Sequence, residues 1–158
     1  MTIPVSLVIN GKTQAFDVGA HQVVADVLRE RFGLKGCKVG CDQGVCGACT
    51  VLVDGAPVTG CATFMFALDG REVTTIEGLG VDGALSRVQQ AFLAAGAFQC
   101  GFCTAGMILS VTALLLRDPD PDEATIRQWL AGNICRCTGY NAIVDAVRRA
   151  ARIEVIAS

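Results

Sequence analysis

Eight of the nine cysteines in this chain fall into two quartets of different spacing. Cys41, Cys46, Cys49 and Cys61 read C-x4-C-x2-C-x11-C, and Cys100, Cys103, Cys135 and Cys137 read C-x2-C followed much later by C-x-C. Any fold this chain adopts must gather four sulfurs twice. Eight thiolates in two sets of four suit two metal centres. A chain of 158 residues buries a core without covalent staples, so the cysteines are not a scaffold replacing one. Their odd number argues against complete disulfide pairing. Met1 to Asn10 carry no basic residue and no signal-like apolar run, which predicts a reducing, cytoplasmic setting with free thiolates.

Other function classes drop out on composition. The formal net charge is −2, with no basic patch interleaved with aromatics, so no nucleic-acid partner is expected. The longest apolar stretch, Ala105 to Leu116, is too short to span a bilayer. Charged residues make up 18%, below the roughly 25% of ordinary soluble domains. Two readings fit that figure: an Ala- and Val-rich composition, or surface covered by partner subunits. There is no dinucleotide-binding G-x-G-x-x-G (Gly78 to Gly83 has the spacing but falls in the glycine-rich boundary between the two halves), no P-loop and no triad-like set, so substrate chemistry is expected in another chain.

Periodicity divides the chain in two. Ile3 to Ile9 alternate, Asn10-Gly11 signals a hairpin, and Lys12 to Asp17 return. Val23, Val24, Val27 and Leu28 have helical spacing. Gly33 to Gly47 reads as a loop, Thr50 to Val53 and Ala56 to Val58 as strands around Asp54-Gly55, and Glu72 to Ile76 as a closing strand. Beyond the glycines at 78, 80 and 83 the pattern becomes helical. Leu85, Val88, Phe92 and Leu93 share a face, and Cys103 to Leu116 reads as a buried helix. Asp120, Pro121 and Glu123 look like a helix start, with Ile126, Trp129 and Leu130 as its stripe. Thr138 is a candidate cap for a last helix facing Tyr140, Ile143, Val144 and Val147 inward. The fold class expected is α+β: a mixed domain over residues 1–77, then an antiparallel four-helix bundle over residues 78–158.

The first spacing matches the plant-type [2Fe–2S] run, with Cys61 as the fourth ligand. Gly40, Gly44 and Gly47 suit a loop that needs positive φ and must aim backbone N–H groups at sulfur. The second quartet is less diagnostic. Cys100-Gly-Phe-Cys103 precedes a helix whose positive end favours an anionic cluster. Cys135-Arg-Cys137 sits in a loop that could meet it at one end of the bundle. A structural zinc remains an alternative there, and a thioredoxin-like use of either C-x-x-C is a further one. A Rieske centre needs two histidines and only His21 exists; the bacterial [4Fe–4S] run is absent. Arg136 either offsets cluster charge or is a surface residue. Cys37, the ninth cysteine, reads as a small buried side chain, with a spare ligand as the alternative.

Gly40-Cys-Asp-Gln-Gly-Val-Cys-Gly-Ala-Cys-Thr50 with Cys61 resembles the first cluster motif of the xanthine oxidase family of molybdenum hydroxylases. Gln99-Cys-Gly-Phe-Cys-Thr-Ala-Gly-Met107 and Gly132-Asn-Ile-Cys-Arg-Cys-Thr-Gly-Tyr140 resemble its second, except that Ala105 stands where proline is common. The resemblance covers nearly the whole chain. It implies a plant-type ferredoxin-like (β-grasp) first domain and the small iron–sulfur subunit of a split enzyme. A large subunit would hold molybdopterin cytosine dinucleotide and a medium subunit FAD, in a heterotrimer that is often doubled. Electrons would run from molybdenum through the helical-domain cluster and the ferredoxin-like cluster to FAD. It also implies that Gln99 and Cys137 lie near the pterin. The alternative is a free-standing [2Fe–2S] carrier or redox sensor.

Overall fold

The computed structural model describes residues 1–153; the last five residues of the expected second unit lie outside the described residues. Strand β1 (Thr2–Ile9) pairs antiparallel with β2 (Lys12–Gly19), Ile9 opposite Lys12. Asn10 and Gly11 both take positive φ, 48° and 76°, as a two-residue turn matched to strand twist requires. Asp54 and Gly55 repeat the device at 49° and 80° between β3 (Thr50–Val53) and β4 (Ala56–Thr59). Strand β5 (Glu72–Thr74) runs parallel to β1 and antiparallel to β3. The sheet order is therefore β2-β1-β5-β3-β4. Alternation puts Val5, Leu7 and Ile9 on one face. There they join Val24, Ala25, Val27 and Leu28 of α1 (Val24–Glu30) in a first core. This is the expected ferredoxin-like α+β half.

Four helices follow: α2 (Arg87–Ala94), α3 (Thr104–Arg117), α4 (Glu123–Leu130) and α5 (Asn141–Arg152). The position of α3 explains why its sequence is apolar on every side. Its buried residues run unbroken from Ala105 to Val111 and resume at Ala113. In one direction Met107, Val111, Leu114 and Leu115 share a core with Phe92, Ile126, Ile143 and Val147. In the other, Leu109 and Ala113 pack on Leu52 of β3. Each such large side chain contributes about 1.5–3 kcal/mol by burial. Helix α3 is thus both the centre of the bundle and the wall on which the sheet domain rests.

Three local expectations are corrected. The cap of α4 is Asp122, not Asp120: its Oδ1 accepts the N–H of Thr125 at 2.7 Å, while the N–H of Asp120 bonds Asp118 Oδ1 at 3.3 Å. Thr138 does not cap α5; Tyr140 holds that position, at φ 70°, because the threonine hydroxyl is engaged by a sulfur. Leu85 precedes α2 and, like Leu93, is exposed. The helix begins later, at a capping box in which Ser86 Oγ accepts from Gln89 N and Gln89 Oε1 from Ser86 N. Among the described residues no helix is long and apolar enough to cross a membrane.

Candidate metal centre

The loop before β3 wraps its own sulfurs in backbone donors. Cys41 Sγ accepts the N–H groups of Gln43, Val45 and Cys46, each at 3.4 Å. Gly44 N donates to Cys61 Sγ at 3.3 Å and Cys61 N to Cys49 Sγ at 3.4 Å. So many amides can point one way because Asp42, Gly44 and Gly47 take φ of 56°, 70° and 73°, which folds the chain into an anion-binding nest. The amide donors of Cys46, Gln43 and Val45 pull the Cys41 thiol down to about 6. Burial instead pushes Cys49 up to about 11, with Cys61 and Cys46 adding to the rise. A bare thiolate is therefore disfavoured at Cys49, whereas a bound cation deprotonates a coordinating thiol outright.

The sulfurs of both quartets come together in pairs. Two thiolates on one tetrahedral metal, each about 2.3 Å away, stand about 3.8 Å apart. Cys100 Sγ and Cys137 Sγ are 3.7 Å apart. Cys103 and Cys135, Cys41 and Cys46, and Cys49 and Cys61 are likewise neighbours, each near enough to shift the other's thiol. Among the described residues no three His, Cys, Asp or Glu side chains converge as a single-ion cage would. Two pairs per quartet is what a binuclear centre with two cysteines on each iron requires, so the residues present fit a [2Fe–2S] group at each site.

The second site opens further to solvent than the first. Cys100 and Cys137 are exposed and Cys103 and Cys135 half-buried, whereas Cys49 and Cys61 are fully buried. Burial lifts Cys103 to about 12, and contact with Cys135 adds to it. Burial also raises Cys135, but hydrogen bonds from Thr138 and Cys137 outweigh it and leave that thiol below its ordinary value. Contact with the Cys100 thiol holds Cys137 above its own. Gln99 Nε2 donates to the Cys137 carbonyl at 3.1 Å, so the two residues singled out for the pterin lie together. Arg136 and His21 are exposed. Cys37 is buried, its Sγ 3.4 Å from the Cys49 carbonyl, and burial first, then the Cys49 thiol, pushes it up to about 12.

The two cysteine loops are bonded to each other. Ile134 N, one residue before Cys135, donates to the Cys46 carbonyl at 2.8 Å. Asn133 is 4% exposed and its Nδ2 donates to Gly47 O at 3.0 Å and Thr50 Oγ1 at 3.2 Å. Asn133 falls within the Gly132-to-Tyr140 motif, but a lone asparagine before C-x-C belongs to no periodic pattern and nothing local announces its bonds to the other domain. Its loss is measurable: Asn133→Ala removes two buried hydrogen bonds at about 0.5–1.5 kcal/mol each, although Gly47 O keeps the Thr50 N and Oγ1 donors. The variant should melt lower than the parent while keeping both pairs of signals in its visible spectrum. An unchanged melting temperature would contradict this clamp.

A ferredoxin-like sheet domain and a helical domain, each with a paired cysteine quartet and joined loop to loop, define a two-centre iron–sulfur protein. Comparison with known proteins agrees. Residues 7–75 match the 2Fe-2S iron-sulfur cluster binding domain and residues 75–148 the [2Fe-2S] binding domain. The nicotine 6-hydroxylase small subunit of Paenarthrobacter nicotinovorans is 48% identical over 145 residues, 92% of this chain and 87% of that one. The nicotinate dehydrogenase small FeS subunit of Eubacterium barkeri is 47% identical, with 94% of each chain covered. The crystal structure of quinoline 2-oxidoreductase from Pseudomonas putida 86 superposes with a TM-score of 0.91 at 43% identity, covering 95% of this chain and 94% of that one. The chain belongs to the small iron–sulfur subunits of the xanthine oxidase family of molybdenum hydroxylases and carries two [2Fe–2S] clusters. The aldehyde oxidoreductase of Desulfovibrio gigas matches with a TM-score of 0.90 at 45% identity; 94% of this chain corresponds to 17% of that longer one.

Proposed function

We propose that this chain is the electron relay of a molybdenum hydroxylase complex, with the helical domain receiving electrons and the ferredoxin-like domain passing them on. Cys41, Cys46, Cys49 and Cys61 hold one cluster, and Cys100, Cys103, Cys135 and Cys137 the other, on domains 1–77 and 78–158. When bound, these clusters supply one-electron redox chemistry; the chain's residues supply position, insulation and coupling. The observation that carries the reading is the hydrogen bond from Ile134 N to Cys46 O, 2.8 Å long, which joins the residue next to one ligand directly to another ligand. The exposed edge at Cys100 and Cys137 then faces the donor. Gln99, whose Nε2 bonds the Cys137 carbonyl, meets the pterin of that donor in this proposal.

The relatives' names, small subunits of a hydroxylase and a dehydrogenase, support larger partner chains; in this proposal those are a large subunit holding molybdopterin cytosine dinucleotide and a medium one holding FAD, in a cytoplasmic heterotrimer or its dimer. Purified from its host, the chain is expected to carry about four irons and about four acid-labile sulfides, in a complex with two larger chains. A zinc-containing chain with about two irons would overturn the two-cluster assignment. A brown monomer with no larger partners would favour the free-standing carrier instead.

A further inference from the structure

The cysteine loop of the helical domain holds a side-chain donor that a bare relay does not need. Thr138 Oγ1 lies 3.1 Å from Cys135 Sγ and also accepts the N–H of Tyr140 at 3.3 Å. A thiolate offers only lone pairs, so the hydroxyl proton goes to sulfur. Tyr140 fixes this geometry from two sides. Its φ of 70° puts it in the left-handed region, sparsely used by residues other than glycine. Its hydroxyl accepts from Cys135 N at 2.8 Å and donates to Asn133 O at 2.9 Å. The ferredoxin-like domain is different: its sulfurs take backbone N–H groups only, from Gln43, Gly44, Val45, Cys46 and Cys61. Among the described residues, Thr138 is the one side chain other than cysteine that donates to a sulfur.

We infer that the Thr138 hydroxyl raises the reduction potential of the helical-domain centre through its bond to Cys135 Sγ, with Tyr140 as the residue that positions it. This rests on the ligand assignment proposed above. Reduction at that centre adds one electron, delivered from the molybdenum side, and moves no proton, so negative charge on the ligand sulfurs grows. An O–H dipole aimed at one of them favours the reduced state over the oxidised one. The hydroxyl makes the entry point of the relay a better electron acceptor. A backbone amide could do the same, but only a side chain leaves the setting open to substitution.

The test is a redox titration of the holocomplex followed by EPR at low temperature. Thr138→Val is expected to move the helical-domain midpoint to more negative potential by about 59 mV, a tenfold change for a one-electron couple. The ferredoxin-like midpoint should stay where it is. Thr138→Ser keeps the hydroxyl and should restore the parent value. Thr138→Ala gives the same measurement without the branched side chain, should valine disturb the loop. Unchanged midpoints in the valine and alanine variants, with both signals at full strength, overturn the inference and leave the proposed function standing. A serine variant shifted as far as valine also overturns it, since the role would then be steric. A parent complex with fewer than two reducible signals overturns both.

Discussion

Cys103→Ser is expected to remove one EPR signal and leave the other, with iron falling from about four to about two per chain. Cys103 precedes α3 and neighbours Cys135, whose thiol raises its own, while Cys100 pairs with Cys137 at 3.7 Å. Losing Cys103 leaves one iron with a single cysteine. Thiolate binds iron far better than a serine hydroxyl that stays protonated near neutral pH. The ferredoxin-like quartet lies on a different core, with its own nest of amides, and keeps its cluster. Electron flow to the acceptor should then stop although both domains are folded. Cys37→Ala is the matching control. That thiol faces the Cys49 carbonyl rather than a paired sulfur, so both signals should persist. Retention of both signals in Cys103→Ser would refute the ligand assignment.

Gly106→Val is expected to lower the melting temperature by about 2–12 °C, with every cysteine still in place. Gly106 lies in the first turns of α3, and a Cβ there would run into the Gly47 carbonyl of the first cysteine loop. The obstacle is backbone, so it cannot swing aside. A Cβ on Gly47 would in turn sit 2.5 Å from the Gly132 carbonyl, so the two domains meet glycine to backbone on both sides. Helix propensity favours valine over glycine by only about 0.4 kcal/mol. Overpacking costs about 1–3 kcal/mol, so the clash decides the sign. Because the same contact holds the loops together, the variant should also slow electron transfer between centres by more than its stability loss implies. A melting temperature equal to the parent's would show that the domains are not packed as described.

Much of the fold was legible in the residue order. Asn10-Gly11 and Asp54-Gly55 announced their hairpins because only a few residue types accept paired positive φ. The switch from alternation to helical spacing separated the sheet half from the bundle half, and the continuous apolar run beginning at Ala105 marked the most buried helix. Caps were read less well. Asp120 and Asp122 both precede the apolar stripe of α4, and choosing between them depends on which carboxylate reaches a free N–H. Ser86 and Gln89 have capping-box spacing, but the apolar Leu85 before them extends the helical pattern past the true start.

The C-x4-C-x2-C run and the glycine-rich character of the first loop are legible from short-range spacing, whereas joining Cys100-x-x-Cys103 to Cys135-x-Cys137 takes the resemblance and the bundle reading. Which sulfur stands beside which does not follow. Cys100 and Cys137 are separated by the whole of α3 and α4, and their contact exists because those helices return the chain to one end of the bundle. The same holds for the join between the two sites. Asn133 and Ile134 lie far along the chain from Cys46 and Gly47, and only the packing of α3 against β3 brings their donors within hydrogen-bonding distance of those carbonyls. Local chemistry sets what each loop can hold; long-range packing sets whether an electron can pass between them.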